Sequence, residues 1–473
     1  MGAPTTNRQT DVDSELTAVI MAAGKGSRMT ELTARRPKCL LPIGNLPMIY
    51  FPLALLERSG FHETFVIVQE SHKIDVTNSL EKCGLKIRFE IVGIPGDEDW
   101  GTADSLRFLQ ESGKIKTDVL IISSDLITDL KLDQLIDLYR KREASICALF
   151  VSPSSTNSAA FNTPGPKSKN KIERDLVGIE PETSRLVLLA SASDFEETLT
   201  LKGNLMKKHG KISIHSKLLD THVYIVRRWL LQYLAYNKDL STLKGELLPY
   251  VVKKQLKINK TPKKVEDKAS VVGGSIKTEL FQFAQEDELA VKIRQISSHS
   301  SGKFDSQLFP GDGQSIRCFA EVVRDSEFTA RANTLQQYWA ANRMVLKYWP
   351  PLTNNREMLN VSPLANVSST QLDNESCVVA ENATISEKTS LKGSFIGAGA
   401  SVSPKTLVVD SILMGAVRIG SGCKINNCIV CDEAVIEDGT ELKDCIVGSQ
   451  HVVPSKSIHN NEVLTVIDRL MEF

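Results

Sequence analysis

The sequence predicts an α/β chain in two parts: a doubly wound, mostly parallel sheet, then a parallel β-helix of six-residue repeats. Three observations carry this. From Leu16 to about Lys254, short apolar runs alternate with stretches of helical spacing, as strands and helices do in a parallel sheet covered on both faces. The first run is followed at once by Gly24-Lys25-Gly26, a turn of the kind that brings backbone N–H groups close to an anion. Further on, Val379, Ile396, Leu413, Val430 and Val447 fall every 17 residues, the mark of stacked coils.

At 473 residues the chain is long enough for two or more domains, each with its own core. Basic and acidic residues balance at 57 each, so no global field points to nucleic acid or anionic lipid, and any polyanion site must be local. Nine cysteines, an odd count without a secretory leader, point to a reducing compartment, and the expected location is the cytosol. Residues 1–15 are polar and lack an apolar signal core, so a disordered tail is expected there. Met1-Gly2 with Thr6 fits the loose N-myristoylation pattern, but no basic cluster follows to support a single acyl chain. No apolar run reaches the roughly 18 residues of a membrane span. Asn360, Asn366, Asn374 and Asn382 open Asn-x-Ser/Thr triplets, which carry no meaning without secretion.

Within residues 16–254, Ala18–Met21 suits a buried strand. Further strands are expected at Thr64–Val68, Ile87–Val92, Val119–Ser123, Ser145–Val151 and His222–Val226. Helices are expected at Met48–Ser59, Thr102–Glu111 and Leu132–Arg142, where apolar residues recur at helical spacing. Ligands of such sheets bind beyond the strand C-termini, where the glycine loop lies. Arg28 and Lys38 add positive charge in the same loop, and Pro37 stiffens the chain before Lys38. Gly24, Gly26, Arg28 and Lys38 thus form a candidate cradle for a nucleoside di- or triphosphate. Asp125 ends a buried strand in Ser123-Ser124-Asp125-Leu126. It suits either Mg²⁺, which takes one or two carboxylates beside phosphate oxygens, or a cap for the next helix.

Residues 151–171, rich in Ser, Asn and Pro, are expected as a mobile insertion. Residues 255–372 are expected to be mostly linker, with a helix near Leu280–Ile293, a strand at Ile316–Val323 and a helix at Arg331–Lys347. The apolar face of that last helix, with Leu335, Tyr338 and Trp339, is expected as core.

Residues 373–458 carry the repeats. Within each coil the apolar position returns after six and twelve residues: Val379, Ile385, Leu391, then Ile396, Val402, Val408, then Leu413, Ile419, Ile425, then Val430, Ile436, Leu442. Each unit is one short strand and a turn, and three make a triangular coil whose apolar side chains stack inward. Cys428 and Cys445 are separated by the coil period, with Ser394 and Ser411 at the equivalent place, so they read as rungs of one ladder. With Cys423 and Cys431 they lack the paired spacing of zinc ribbons. The coils also have no histidine before His451, which argues against a histidine-based acyltransferase.

The stretch Met21-Ala-Ala-Gly-Lys-Gly-Ser-Arg-Met29 with Pro37-Lys-Cys-Leu-Leu-Pro42 resembles the signature of the sugar-nucleotide pyrophosphorylases, Gly-x-Gly-x-Arg-(Met/Leu)…Pro-Lys-x-Leu-Leu-Pro. Gly101-Thr102-Ala103-Asp104-Ser105-Leu106 is similar to their base-reading Gly-Thr-Ala-Gly-Ala-Leu loop, which implies nucleotide contact at Thr102 and Asp104. Asp104 stands where the family has glycine. It either caps or faces solvent, or it sets a carboxylate against polyphosphate. Asp125 stands where the family holds Mg²⁺, and Asp220, in a stretch similar to the late motif, is the candidate second metal ligand. The family's Glu-Lys-Pro sugar grip corresponds to Gly178-Ile-Glu-Pro-Glu-Thr183, without the lysine. Losing one such contact typically costs ~3 kcal/mol, about two orders of magnitude in rate, so no catalytic residue is expected.

A pyrophosphorylase-like domain joined to a hexapeptide β-helix resembles three groups. They are the pyrophosphorylases, the bifunctional uridylyl/acetyltransferases, and the gamma and epsilon subunits of translation initiation factor 2B. GTADSLRFL, SSDLITDL, LKGELLPYVVKKQ and VIDRLMEF are similar to the gamma type, whereas the epsilon type carries a further helical domain after the β-helix. The resemblance implies a nucleotidyltransferase-like fold followed by a left-handed β-helix, with residues 459–473 as a tail. It implies a non-catalytic partner of the epsilon subunit, acting with the other exchange-factor subunits to exchange GDP for GTP on initiation factor 2. It further implies an obligate hetero-oligomer without direct nucleic-acid or membrane contact. No cofactor would be required, and the vestigial cradle would take a nucleotide or sugar nucleotide with Mg²⁺. The alternative is an active sugar-1-phosphate nucleotidyltransferase.

Overall fold

The computed structural model describes residues 12–96, 100–152, 161–166, 175–191, 203–255, 280–284, 316–324, 326 and 328–465. The strands before the repeats are β1 (Leu16–Met21), β2 (Pro42–Ile43), β3 (Leu46–Pro47), β4 (Glu63–Gln69), β5 (Arg88–Ile94), β6 (Asp118–Ser123), β7 (Leu126–Thr128), β8 (Ile146–Val151), β9 (Asp175–Glu180), β10 (Arg185–Ser191), β11 (Ser213–His215), β12 (Leu219–Val226), β13 (Cys318–Val323) and β14 (Thr329–Arg331). One ten-stranded sheet has the order β11-β9-β10-β13-β8-β12-β6-β1-β4-β5. Its faces are apolar for the expected reason: successive side chains of a strand point to opposite sides. Val19 joins Leu106 and Leu230 on one face, while Ala18 and Ile20 join Leu53 and Leu135 on the other.

The sheet is parallel from β5 through β4 and β1 to β6. Beyond β6 it is mixed. β12 runs antiparallel to both of its neighbours, β13 runs parallel to β8, and β9 and β10 form an antiparallel hairpin. The short turn between β9 and β10 allows no crossover, so that pair has to be antiparallel. The helix Thr102–Glu111 keeps its expected bounds, while Tyr50–Arg58 and Asp133–Arg142 begin slightly inside theirs.

Several boundaries are corrected. The strand expected within the 255–372 linker is β13, seated inside the sheet between β8 and β10. The sheet therefore does not close at residue 254. Arg331 ends β14 rather than opening a helix, because β14 pairs with β7; the helix runs Leu335–Val345, capped by the Thr334 side chain. Near 280–293 the described part is a short turn, Leu280–Gln282, with Leu280 buried, and residues 285–293 lie outside the described residues. Residues 12–15 of the expected tail are folded on. Asp13 accepts from the His62 N–H, and Glu15 pairs with Arg140 at 2.7 Å. Residues 161–166 of the expected mobile insertion are held against the repeats by Gly165 N–H to the Asp444 carbonyl, 2.8 Å, and by Asn162 to the Asp444 carboxylate, 3.0 Å. The rest of both segments (1–11, 153–160, 167–171) and the tail beyond 465 lie outside the described residues.

The repeats form three parallel six-stranded sheets whose partners are 17 residues apart, as in Ile385↔Val402 and Leu413↔Val430. The inward residues are almost wholly buried, and strand pairing extends to Val463–Leu464, past the expected end at 458. The cysteines are rungs. Ser394 N–H meets Cys377 Sγ (3.5 Å), Ser411 N–H meets Ser394 Oγ (3.1 Å), Cys428 N–H meets Ser411 Oγ (3.1 Å) and Cys445 N–H meets Cys428 Sγ (3.4 Å).

One wall of the β-helix packs on the sheet domain. Phe395, Ile412, Ile429 and Ile446 point outward there, into a shared core with Met29, Tyr338 and Trp339. Arg36 pairs with Asp432 at 2.7 Å, and Arg343 with Asp410 at 2.8 Å, along the same junction. Among the described residues, no helix is long and apolar enough to cross a membrane.

Candidate functional site

The glycine loop leaves β1 at the C-terminal end of the parallel strands. Gly24 and Arg28 are exposed, and space around Gly24 is open. Gly26 differs. Its φ is +74°, and a Cβ there would lie 2.7 Å from Thr33 Cγ2, so the fold itself demands glycine. Met29 N–H closes the turn onto the Gly26 carbonyl at 2.8 Å. The chain then bends back through Pro37, which leads into the short turn carrying Lys38.

Lys38 brings its ammonium to Asp125 Oδ2 at 2.6 Å. Asp125 follows β6 after one intervening residue, Ser124, and is buried, with the Ser124 N–H bonded to the Met21 carbonyl. A second cation, Arg331, lies on the other side. Its Nε is 3.2 Å from Oδ1 and its Nη2 is 3.2 Å from Oδ2. Ser123 Oγ completes the set at 2.8 Å from Oδ1. Burial alone would raise the Asp125 carboxyl, but Arg331 and Lys38 outweigh it and hold it well below the usual carboxylate range.

Asp220 sits at the same edge because β12 runs antiparallel beside β6. A bulge between Asp220 and Tyr224 re-aims the side chains, as bulges do, and His222 within it has φ 54°. Asp220 Oδ1 accepts from the His222 N–H at 2.9 Å, and Oδ2 from the Tyr224 hydroxyl at 2.7 Å. Lys244 stands 3.9 Å from Asp220 and 2.8 Å from Asp175, presented by a single π-helical turn, Leu243–Leu247. Burial pushes the Asp220 carboxyl up, and Lys244 and Tyr224 only partly oppose it. His222 Nε2 is buried without a hydrogen-bond partner among the described residues, and burial with Arg331 and Lys244 holds its imidazole well below the ordinary value.

These contacts decide whether a divalent ion fits. Mg²⁺ needs carboxylate oxygens to bind, and each Asp125 oxygen already takes two donors. Both Asp220 oxygens are engaged as well. The residues present do not fit a metal at Asp125 and Asp220. Among the described residues there is no group of three or more His, Cys, Asp or Glu placed to hold one.

The loop expected to read a base, residues 101–106, is also turned toward the fold. Thr102 Oγ1 accepts from the Leu243 N–H at 2.9 Å. Asp104 accepts from the Gly101 N–H at 2.9 Å, capping the helix, and pairs with Arg107. That guanidinium in turn donates to the carbonyls of Leu234, Asn237 and Leu240. Of the two readings of Asp104, the cap is the one observed.

The expected sugar grip is corrected outright. Glu180 ends β9, and residues 181–184 form its turn into β10. Asp175, at the other end of β9, is the residue that meets Lys244. Five residue steps of strand separate them, about 17 Å. Glu180 is instead bound by Thr183 and by His209 at 3.0 Å. The missing lysine there thus says nothing about catalysis.

Sequence reasoning placed Gly24, Gly26, Arg28, Lys38, Asp125 and Asp220 at one edge of the sheet, and the structure brings Lys38 to Asp125. It missed Arg331, Lys244 and His222. Lys244 had a signal, an isolated cation in LKGELLPYVVKKQ, whereas Arg331 lay far beyond the expected end of the domain.

Residues 17–163 match the nucleotidyl transferase family, and residues 365–458 the GlmU-like C-terminal hexapeptide family. The chain is 24% identical to translation initiation factor eIF2B subunit gamma of Dictyostelium discoideum over 407 residues, covering 81% of this chain and 88% of that one. It is 28% identical to the Schizosaccharomyces pombe subunit gamma over 383 residues, 80% of this chain and 74% of that one. Against the Caenorhabditis elegans subunit gamma it is 32% identical over 245 residues, 51% of this chain and 59% of that one.

Proposed function

From a chain that resembles the gamma subunits of translation initiation factor eIF2B in both its nucleotidyl transferase-like and its hexapeptide parts, we propose that it is a subunit of that factor, without catalysis of its own. On this reading the epsilon subunit carries GDP/GTP exchange on initiation factor 2, and this chain supports assembly and substrate contact as an obligate member of the hetero-oligomer in the cytosol. The single observation that favours a non-catalytic role is the state of Asp125. The acid on which metal-assisted nucleotidyl transfer would depend is held by Lys38 and Arg331.

The β-helix supports the assembly role, since two of its walls face away from the sheet domain. Their outward positions include Thr384, Ser401 and Arg418 on one, and Lys424 and Glu441 on the other. A nucleotide or sugar nucleotide held at Gly24–Arg28 would act as a regulator on this reading. Calorimetry with GTP, ATP and GDP-mannose tests that part, and no heat with any of them removes it.

Co-purification from native lysate tests the whole. Recovery with epsilon and the other exchange-factor subunits is the expected result, and recovery alone overturns it. The rival, an active sugar-1-phosphate nucleotidyltransferase, is favoured by the position of the glycine loop and Lys38 at the strand ends. Incubation with sugar-1-phosphate, nucleoside triphosphate and Mg²⁺ separates the two. Sustained pyrophosphate release, lost in Arg28→Ala, would establish the rival.

A further inference from the structure

We infer that Arg331 stands in for the divalent cation at this site: the guanidinium, forked onto the Asp125 carboxylate, makes the site independent of metal. The inference rests on the non-catalytic reading of the site but not on membership of the complex.

Arg331 is placed by backbone, not by chance contact of a flexible side chain. β14 pairs antiparallel with β7 so that Arg331 lies opposite Leu126, the residue after Asp125. The next residue, Ala332, donates its N–H to the Asp125 carbonyl at 2.9 Å. Thr128 and Thr329 tie the same two strands through their hydroxyls at 2.6 Å. Asp125 is thus held by Arg331 through its side chain and by the neighbouring residue through its main chain.

The guanidinium meets Asp125 with two N–H groups, one to each oxygen, at 3.2 Å. That fork covers the edge of the carboxylate a metal would take. Arg331 and Asp125 are 7% and 2% exposed, so water does little to weaken the pair. Across the cluster, Lys38, Arg331 and Lys244 face Asp125, Asp220 and Asp175. Three positive groups balance three acidic ones without an added ion.

Mn²⁺ alone is the probe, titrated into the full chain while free ion is counted by electron paramagnetic resonance. The parent is expected to show no Asp125-dependent equivalent up to about 1 mM, the weak end of ordinary carboxylate sites for divalent ions. Arg331→Gln is expected to gain one equivalent, and Arg331→Gln with Asp125→Asn to lose it again. One equivalent bound by the parent and removed by Asp125→Asn overturns the inference, as does a folded Arg331→Gln chain that gains none. Should Arg331→Gln not fold, Arg331→Lys keeps one charge and loses the fork. Mn²⁺ is then expected to raise the melting temperature of that variant and not of the parent, and no such difference overturns the inference. Mn²⁺ bound by the parent through Asp125 without pyrophosphate release would remove the inference alone. Mn²⁺-dependent pyrophosphate release would remove the non-catalytic reading as well.

Discussion

Gly24 and Gly26 look alike in the sequence and answer to different demands. Gly26 holds φ +74° against the Thr33 side chain, while Gly24 has nothing within 4 Å of where a Cβ would stand. Gly26→Ala is therefore expected to cost about 1–2 kcal/mol or more, the penalty of a left-handed backbone plus the contact with Thr33. Gly24→Ala should stay within about 0.5 kcal/mol. Urea unfolding of the two variants checks both, and equal losses would show that the fold needs both glycines. His222 is the second residue with a distinct demand. Its imidazole is kept neutral by burial and by Arg331 and Lys244, against the opposing pull of Asp125, with Lys38 and Asp220 also beside it. Above about pH 6.5 both folded and unfolded chains hold it neutral, so it contributes no pH dependence. Below that, the unfolded chain takes up a proton that the folded chain refuses, and stability falls by at most about 1.4 kcal/mol per pH unit. His222→Asn, which tolerates a left-handed φ, should flatten that slope between about pH 6.5 and 5. Asp125 acts in a lower window. Its depressed carboxyl contributes stability at neutral pH that is lost only as the pH falls below the ordinary carboxylate range.

At the level of elements, what was legible depended on whether a signal was local. β1, the helix Thr102–Glu111 and the coil register all follow from residues within one window, and the 17-residue spacing is the ladder register itself. The docking wall was equally local. Outward positions read Val378, Phe395, Ile412, Ile429 and Ile446 on one wall, against Thr384, Ser401, Arg418, Val435 and Val452 on another. A wall apolar on both sides has to be covered. Phe395→Ala should therefore cost about 3–5 kcal/mol, whereas Ser401→Ala should cost under about 0.5, a difference that chemical denaturation resolves. β13 and β14 were not legible as parts of the sheet domain. Their own apolar content marks a strand at 318–323, but pairing with β8 and β7 is a contact across more than a hundred residues. Arg331 inherits that blindness, since its meaning depends on β14 lying beside β7. The Glu180 segment failed for the opposite reason, because a local likeness to a motif was a hairpin turn.

The sheet domain and the β-helix each have cores of their own and share a further one between them. Tyr338 and Trp339, on the helix Leu335–Val345, lie with Met29 and Phe51 on one side and with Ile412 and Met414 on the other. The glycine loop runs on into Glu31–Arg36, where the Glu31 carbonyl meets Cys431 Sγ at 3.7 Å and Arg36 meets Asp432. The glycine loop is thus braced by the repeats. The ion pairs themselves add little, since exposed or half-exposed pairs give roughly 0–1 kcal/mol; the coupling comes from buried apolar area. A chain built this way should unfold in a single transition, although chains of this size often do not. Calorimetry and tryptophan fluorescence, with Trp339 and Trp349 buried at the junction, are expected to give coincident melting curves. Ile412→Asp puts a charge into that shared core without touching the inward stack of the coils. It is expected to split the melt in two, with the fluorescence change leading, and a single undivided transition in that variant would mean that the repeats and the sheet do not depend on their common core.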